Sequence, residues 1–226
     1  AAGATNIVPD EVCMEGTLLH QRVDGKVQGH TRYAPLFALL YGLLPEDKAR
    51  LATENTLLSD AAPAITTPYM RFYEMDALLR AGRTREVLEG VRAYWGGMLD
   101  LGATSIWEQF DPNETGDEHY AMYGRPFGRS LCHCWGAGPV YLCGRHILGV
   151  APTAPGYAQY EVCPNPGDLR RVEGAVPTPD GSISVRIEDG RVRVSSTCRG
   201  EGVLLWQGKR VPLPPCEGTA PVVVEL

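Results

Sequence analysis

No run of lysine and arginine occurs in these 226 residues, and the formal net charge is −6. Without a basic stripe there is no concentrated charge to neutralise phosphates, so a nucleic-acid surface is not expected. No apolar stretch reaches the length of a bilayer span. The N-terminus as given lacks the basic-then-apolar order of a signal peptide, which leaves export open if a natural start lies upstream. The chain also lacks an ordered set of cysteines. Its seven, at positions 13, 132, 134, 143, 163, 198 and 216, are odd in number and irregular in spacing. A disulfide framework is therefore not expected, and a reducing, cytoplasmic compartment is favoured. Cys132-His133-Cys134 offers a C-x-C spacing, but no second ligand pair follows at a finger-like distance. No metal and no cofactor are expected, and neither an internal repeat nor a low-complexity segment is found.

What is present is a carboxylate beside an indole. Glu108 follows Trp107 in Gly102-Ala103-Thr104-Ser105-Ile106-Trp107-Glu108-Gln109-Phe110-Asp111-Pro112. An indole can stack on a pyranose face while an acid exchanges the proton, a common way to build a sugar site. A second polar and aromatic cluster, Ser130-Leu131-Cys132-His133-Cys134-Trp135-Gly136, follows. Together they suggest a carbohydrate-active enzyme.

Residues 1 to about 150 read as helices. The spacing of Tyr33, Leu36, Phe37 and Leu40 predicts one from His30 to Leu44, and Pro45-Glu46-Asp47 opens the next. Pro68 to Ala81 forms another, with Tyr69, Phe72, Tyr73 and Leu79 on its apolar side and Gly82 ending it. Thr84 reads as an N-cap for a helix carrying Val87, Leu88, Val91, Tyr94 and Trp95, which Gly96-Gly97 terminates. A last helix runs from about Gly136 to Leu148, stopped by Gly149. Ala151-Pro152-Thr153-Ala154-Pro155-Gly156 then marks a boundary. Beyond it residues alternate, at Ser182 to Glu188 and Arg191 to Ser195, around the hairpin turn Asp189-Gly190. Gly202 to Trp206 and Pro221 to Leu226 read as further strands. The expected class is α+β, with a helical domain over 1–151 and a small antiparallel β-sandwich over 152–226.

Several segments resemble, in kind and order, the C-terminal part of bacterial α-L-rhamnosidases of glycoside hydrolase family 78. They are His30-Thr31-Arg32-Tyr33 leading into Phe37-Ala38-Leu39-Leu40-Tyr41-Gly42-Leu43, then Thr67-Pro68-Tyr69-Met70, then Tyr94-Trp95-Gly96-Gly97-Met98-Leu99-Asp100. Gly102-Ala103-Thr104 with Trp107-Glu108, Trp135-Gly136-Ala137-Gly138-Pro139, Pro152-Thr153-Ala154-Pro155-Gly156-Tyr157 and Val176-Pro177-Thr178-Pro179-Asp180-Gly181 complete the set. The resemblance implies a partial (α/α) toroid of antiparallel helices followed by a β-sandwich. A full toroid of a dozen helices needs roughly 200 to 300 residues, so residues 1–151 correspond to its second half.

The resemblance also implies inverting hydrolysis, with Glu108 as the general base and His133 orienting that base or binding sugar hydroxyls. Trp107 and Trp135 are candidate stacking walls, and Tyr69 a hydroxyl at the rim. The general acid is expected in an absent segment. Glu15, in a loop-like stretch, and Glu74 and Asp76, read as solvent-facing charges on a helix, are poor substitutes. The chain is thus expected to be inactive alone, with a rhamnose-containing glycoside as substrate. Its partner is expected to be the missing half or a second copy. The competing reading is a non-catalytic carbohydrate-binding or structural module that pairs with another chain. Bland readings stand beside the site: Glu108 as a surface acid, His133 as a cap, Trp95 and the Tyr69, Phe72, Tyr73 stripe as core. Asp100, Asp111 and Asp117 read as turn residues, and Glu114 to Glu118 as an exposed loop.

Overall fold

The computed structural model describes residues 11–15, 18–23, 26–27, 31–60, 62–218 and 220–226. Two compact units, Ala1–Gly136 and Ala137–Leu226, make up the chain. Helices dominate the first and strands the second, the mixed α+β class read from the sequence.

The first unit opens with strands, not helix. β1 (Glu11–Glu15), β2 (Leu18–Val23) and β3 (Lys26–Val27) form an antiparallel meander, with Glu11 opposite Arg22 and Glu15 opposite Leu18. Val12-Cys13-Met14 between glutamates suits a pleated strand better than a 3.6-residue stripe. Glu15 therefore lies on a strand rather than in a loop.

Helix α1 (Tyr33–Leu40) is shorter than the stripe predicts, and His30 lies outside the described residues. Helix α2 (Glu46–Ala52) takes Pro45 as its N-cap and continues into a π-helical turn over Thr53–Leu57. Helix α3 (Pro68–Arg80) starts on a proline and ends before Gly82, whose φ of +76° only glycine adopts cheaply. It packs on α1 and on α4 (Thr84–Asp100).

Two helix-boundary readings need correction. Thr84 is the first residue of α4; the N-cap position is Arg83, which makes no side-chain cap bond. Gly96-Gly97 does not end α4, which runs on to Asp100. Gly97 instead makes room: a Cβ there would lie 2.7 Å from Cζ of Phe110. That glycine is a packing residue, and Gly102, with φ +87°, follows the true end.

The larger correction concerns α3. Glu74 and Asp76 do not face solvent. Glu74 is 1% exposed, inside the layer formed with Met75, Ala77, Leu78 and Leu79. Its carboxylate takes Nη1 of Arg32 at 2.8 Å and Nη1 of Arg71 at 2.5 Å. Asp76 pairs with Arg80 at 2.9 Å. The stripe of Tyr69, Phe72 and Tyr73 is the less buried side of the helix, so charge pairing has inverted the apparent polarity of α3.

The second unit begins with α5 (Gly138–Leu142), a π-helical turn over Cys143–Ile147 and Gly149 at φ +74°. The helix predicted from about Gly136 to Leu148 is found from Gly138 on, α5 continuing directly into the π-helical turn, with Pro139 in the first turn where its missing N–H costs little. Eight strands follow: β4 (Val150–Pro152), β5 (Gln159–Val162), β6 (Arg171–Thr178), β7 (Gly181–Glu188), β8 (Arg191–Ser196), β9 (Glu201–Trp206), β10 (Lys209–Leu213) and β11 (Val222–Glu225). They form two four-stranded sheets, β10-β9-β5-β4 and β11-β8-β7-β6. All pairs are antiparallel except β5 with β9. Ile183, Val185, Ile187, Val192 and Val194 of one sheet meet Tyr160, Val162, Leu204 and Leu213 of the other in a common core. Asp189 and Gly190 both have positive φ, as a primed two-residue hairpin turn requires, and Gln207-Gly208 repeats the device between β9 and β10.

Removing one partner of a buried ion pair strands the other charge, whereas exposed pairs contribute little. Glu74→Gln is expected to cost about 3 kcal/mol in urea unfolding. Glu89→Gln, which removes only the exposed Arg85 pair, is expected to cost less than about 1 kcal/mol. Equal losses would refute the central role of Glu74.

Candidate functional site

After α4 the chain turns at Gly102 and continues without regular structure from Ser105 to Phe110. A second segment, 130–133, lies alongside. The Glu108 amide donates to the Ser130 carbonyl at 2.9 Å, and the His133 amide to the Ile106 carbonyl at 2.8 Å. The Ser105 hydroxyl donates to the Leu131 carbonyl. These bonds bring the two sequence clusters together: Glu108 and His133 come from separate loops but sit on one short ladder.

Trp107 and Phe110 anchor that ladder inward. Trp107 is 3% exposed, edge-on to Tyr120 at 5.8 Å and to Phe110 at 6.5 Å. Its faces are occupied by protein, so it backs Glu108 rather than offering a wall to a sugar. Phe110 is fixed further by its amide, which donates to the Thr66 carbonyl at 2.9 Å. The Tyr94 hydroxyl donates to the same oxygen at 2.6 Å, and burial pushes that phenol's pKa well up, so it stays a donor.

Glu108 is only 7% exposed. Its Oε2 accepts the Ser130 amide at 3.1 Å, and its Oε1 accepts the Tyr123 hydroxyl at 2.9 Å. The Ser130 bond above all holds this carboxyl below the ordinary glutamate range; the Tyr123 bond and the fields of His133 and Arg129 help against burial. The group is thus an ionised acceptor at neutral pH, able to take a proton and unable to give one.

Trp135 is placed by its neighbours. Gly136 sits so close to Ile106 and Pro68 that a Cβ would overlap the Ile106 side chain, and its carbonyl accepts the Trp95 indole N–H at 2.9 Å. Tyr69, next to Pro68, therefore meets Trp135, with ring centroids 5.4 Å apart, and Trp135 meets His133 at 4.2 Å. Trp135 and Tyr69 are each 43% exposed, so ring surface remains available. Of the five residues singled out in the sequence, Tyr69, Trp135 and His133 form one ring series, Glu108 joins it through the field of His133, and Trp107 stands behind. Cys132 and Cys134 are exposed on either side of His133. Among the described residues no group of three His, Cys, Asp or Glu could hold a metal.

Four contributors escaped the sequence reading. The Ser130 amide acts through its backbone, which no side-chain motif reveals. Tyr123 reaches Glu108 from a hairpin fifteen residues on. Glu114 and Arg129 form a bidentate pair at 2.7 and 2.8 Å that ties the ends of the intervening loop. Glu114 to Glu118 is accordingly not a plain exposed loop: Thr115 and Glu118 make a capping box for a 3₁₀ turn over Gly116–Tyr120. Asp111 accepts the Asn113 amide at 2.9 Å, the turn role expected of it.

No protein-family model matches the chain, and neither does any curated protein. Solved structures do. A family 78 rhamnosidase of Bacillus sp. GL1 is 31% identical over 75% of this chain, with a TM-score of 0.63. The α-L-rhamnosidase of Aspergillus terreus is 18% identical over 87%, TM-score 0.68, and that of Streptomyces avermitilis, solved with L-rhamnose, 18% over 82%, TM-score 0.61. The last two matches carry the fold alone; the first carries sequence as well. The resemblance to family 78 read from the sequence motifs is therefore found in the structure. The chain spans 18% to 24% of the length of these proteins.

A carboxylate with a depressed folded pKa contributes stability that is fully present above its unfolded value, about 4.5 for glutamate. That contribution is lost as pH falls through the folded value. The stability difference between the chain and Glu108→Gln is therefore expected to be constant from neutral pH to about pH 5 and to shrink below it. Urea midpoints across that range test this; a difference that grows on acidification would contradict an ionised, hydrogen-bonded Glu108.

Proposed function

We propose that this chain carries the base-bearing side of an inverting glycoside hydrolase site that acts on α-L-rhamnosides. The observation behind it is the ionised Glu108 carboxylate, held by Ser130 and Tyr123 and set within the field of His133, in a chain 31% identical to a family 78 rhamnosidase. In this mechanism Glu108 takes a proton from water as that water attacks the anomeric carbon. His133 orients the base or binds sugar hydroxyls, and Trp135 and Tyr69 receive an apolar sugar face. Trp107 supports Glu108 from behind.

An inverting mechanism also needs an acid roughly 6.5–9.5 Å from the base. Glu74 and Asp76 are committed to ion pairs with Arg32, Arg71 and Arg80. The acid then comes from a segment outside this sequence, and the chain alone is inactive. Exposed apolar side chains of the first unit, among them Tyr41, Leu43, Leu99 and Phe127, support a partner surface for the missing helices or a second copy. The free cysteines favour a reducing compartment.

The purified chain is expected to release no nitrophenol from an aryl α-L-rhamnoside. Supplied with the N-terminal remainder of a family 78 toroid, it is expected to turn over, and Glu108→Gln to lower kcat by roughly 10²–10⁴-fold. Release by the chain alone, abolished by Glu108→Gln, would overturn the divided site. Turnover indifferent to Glu108→Gln would favour the non-catalytic module.

A further inference from the structure

We infer that Tyr123 is a positioning residue for Glu108: its phenol, presented by a constrained two-residue hairpin, fixes the rotation of the carboxylate and so selects the Oε1 lone pair that faces a nucleophilic water. This rests on the reading of Glu108 as the base.

The hairpin is built for the purpose. Met122 and Arg125 exchange both backbone bonds, at 3.0 and 2.9 Å, around Tyr123 and Gly124. Tyr123 has φ +53° and Gly124 φ +72°. Glycine and asparagine normally fill the first central position of such a turn, because a larger side chain crowds the following carbonyl. A tyrosine held there needs a reason. Packing does not supply it, since Tyr123 is 76% exposed. Its hydroxyl does: it donates to Glu108 Oε1 at 2.9 Å.

The turn is also anchored. The returning strand passes so close that a Cβ on Gly128 would overlap the Met122 carbonyl. The Arg129 amide donates to the Tyr120 carbonyl at 3.0 Å and its guanidinium to the Ala121 carbonyl at 3.2 Å, while the same guanidinium grips Glu114. Tyr123 is thus delivered from a fixed frame.

A carboxylate offers about four lone-pair directions. The Ser130 amide takes one on Oε2, and a single bond leaves the group free to rotate. The Tyr123 bond to the other oxygen removes that freedom and leaves one direction open on Oε1. The remaining charges that bear on Glu108 are His133 and Arg129. Glu108 in turn raises the Tyr123 pKa, which keeps the phenol a donor through neutral pH.

Tyr123→Phe keeps the ring and deletes the donor. In the chain itself, carbon-13 NMR of the Glu108 carboxyl is expected to show its titration moving up in this variant. Site-specific 3-fluorotyrosine at 123, a stronger donor, is expected to move it down; this second replacement decides the matter if Tyr123→Phe folds poorly. In the assembled enzyme, Tyr123→Phe is expected to lower kcat roughly tenfold with KM unchanged, and to shift the acidic limb of the pH profile upward with the NMR value. A Glu108 titration unmoved by either replacement, with a wild-type pH profile, would overturn the inference while Glu108→Gln still abolished turnover. Turnover untouched by Glu108→Gln would remove the base reading and this inference with it.

Discussion

One buried ion pair organises the helical unit. Arg32, just before α1, donates to the Leu57, Ser59, Ala62 and Pro63 carbonyls and to Glu74 on α3. A guanidinium has five N–H donors in a rigid fork, and here they converge on one loop and one carboxylate. The loop is consequently held in place without regular structure of its own. Thr66, at its far end, presents the carbonyl that fixes Phe110 and Tyr94. Pro68, two residues later, seats Gly136. The positions of both site loops thus trace back to a charge pair that contacts neither.

The same logic of neutralised charge recurs at smaller scale. Arg129 is at least as buried as Arg32 and pairs with Glu114 across the base of the Tyr123 hairpin. Each of these arginines holds a segment that contains no α-helix or long strand of its own. Desolvating the ions is costly, but once folded, breaking either pair would strand a charge, so alternative loop conformations are excluded. The role proposed for Glu108 would profit from this rigidity, because a base must bring its lone pair to a water within a few tenths of an ångström.

Local features were legible in the sequence; long-range compensation was not. Glu108 beside Trp107, the Gly82 stop, the Asp189-Gly190 turn and the strands around it follow from neighbouring residues alone. Gly96-Gly97 read as a helix end because the partner that requires Gly97, Phe110, arrives thirteen residues later. Glu74 and Asp76 read as exposed because charges usually are, and the arginines that bury them were not assignable by spacing. Trp107 read as a sugar wall because burial by Tyr120 and His119 depends on a loop that closes through Glu114 and Arg129. The strands over residues 11–27 were missed because five- and six-residue runs cannot outweigh an expectation of helix set by the longer segments that follow.

If Glu108 is the base proposed above, a division of the machinery between segments makes physical sense of where it is held. The contacts that orient Glu108 come from residues 106 to 133, a span closed on itself by the Ile106–His133 and Glu108–Ser130 bonds. Its ionisation is set there too, mainly by one backbone amide. An acid on an opposing segment must instead keep its proton, which calls for desolvation with few donors, an environment opposite to this one. Two carboxyls with such contrary needs are more easily built into separate supports than into one loop, since each donor that keeps a base ionised would also ionise an adjacent acid. On the proposed reading of Glu108 as a base, the span that holds it is preassembled, and an opposing segment would add the proton donor and the second face of a sugar pocket.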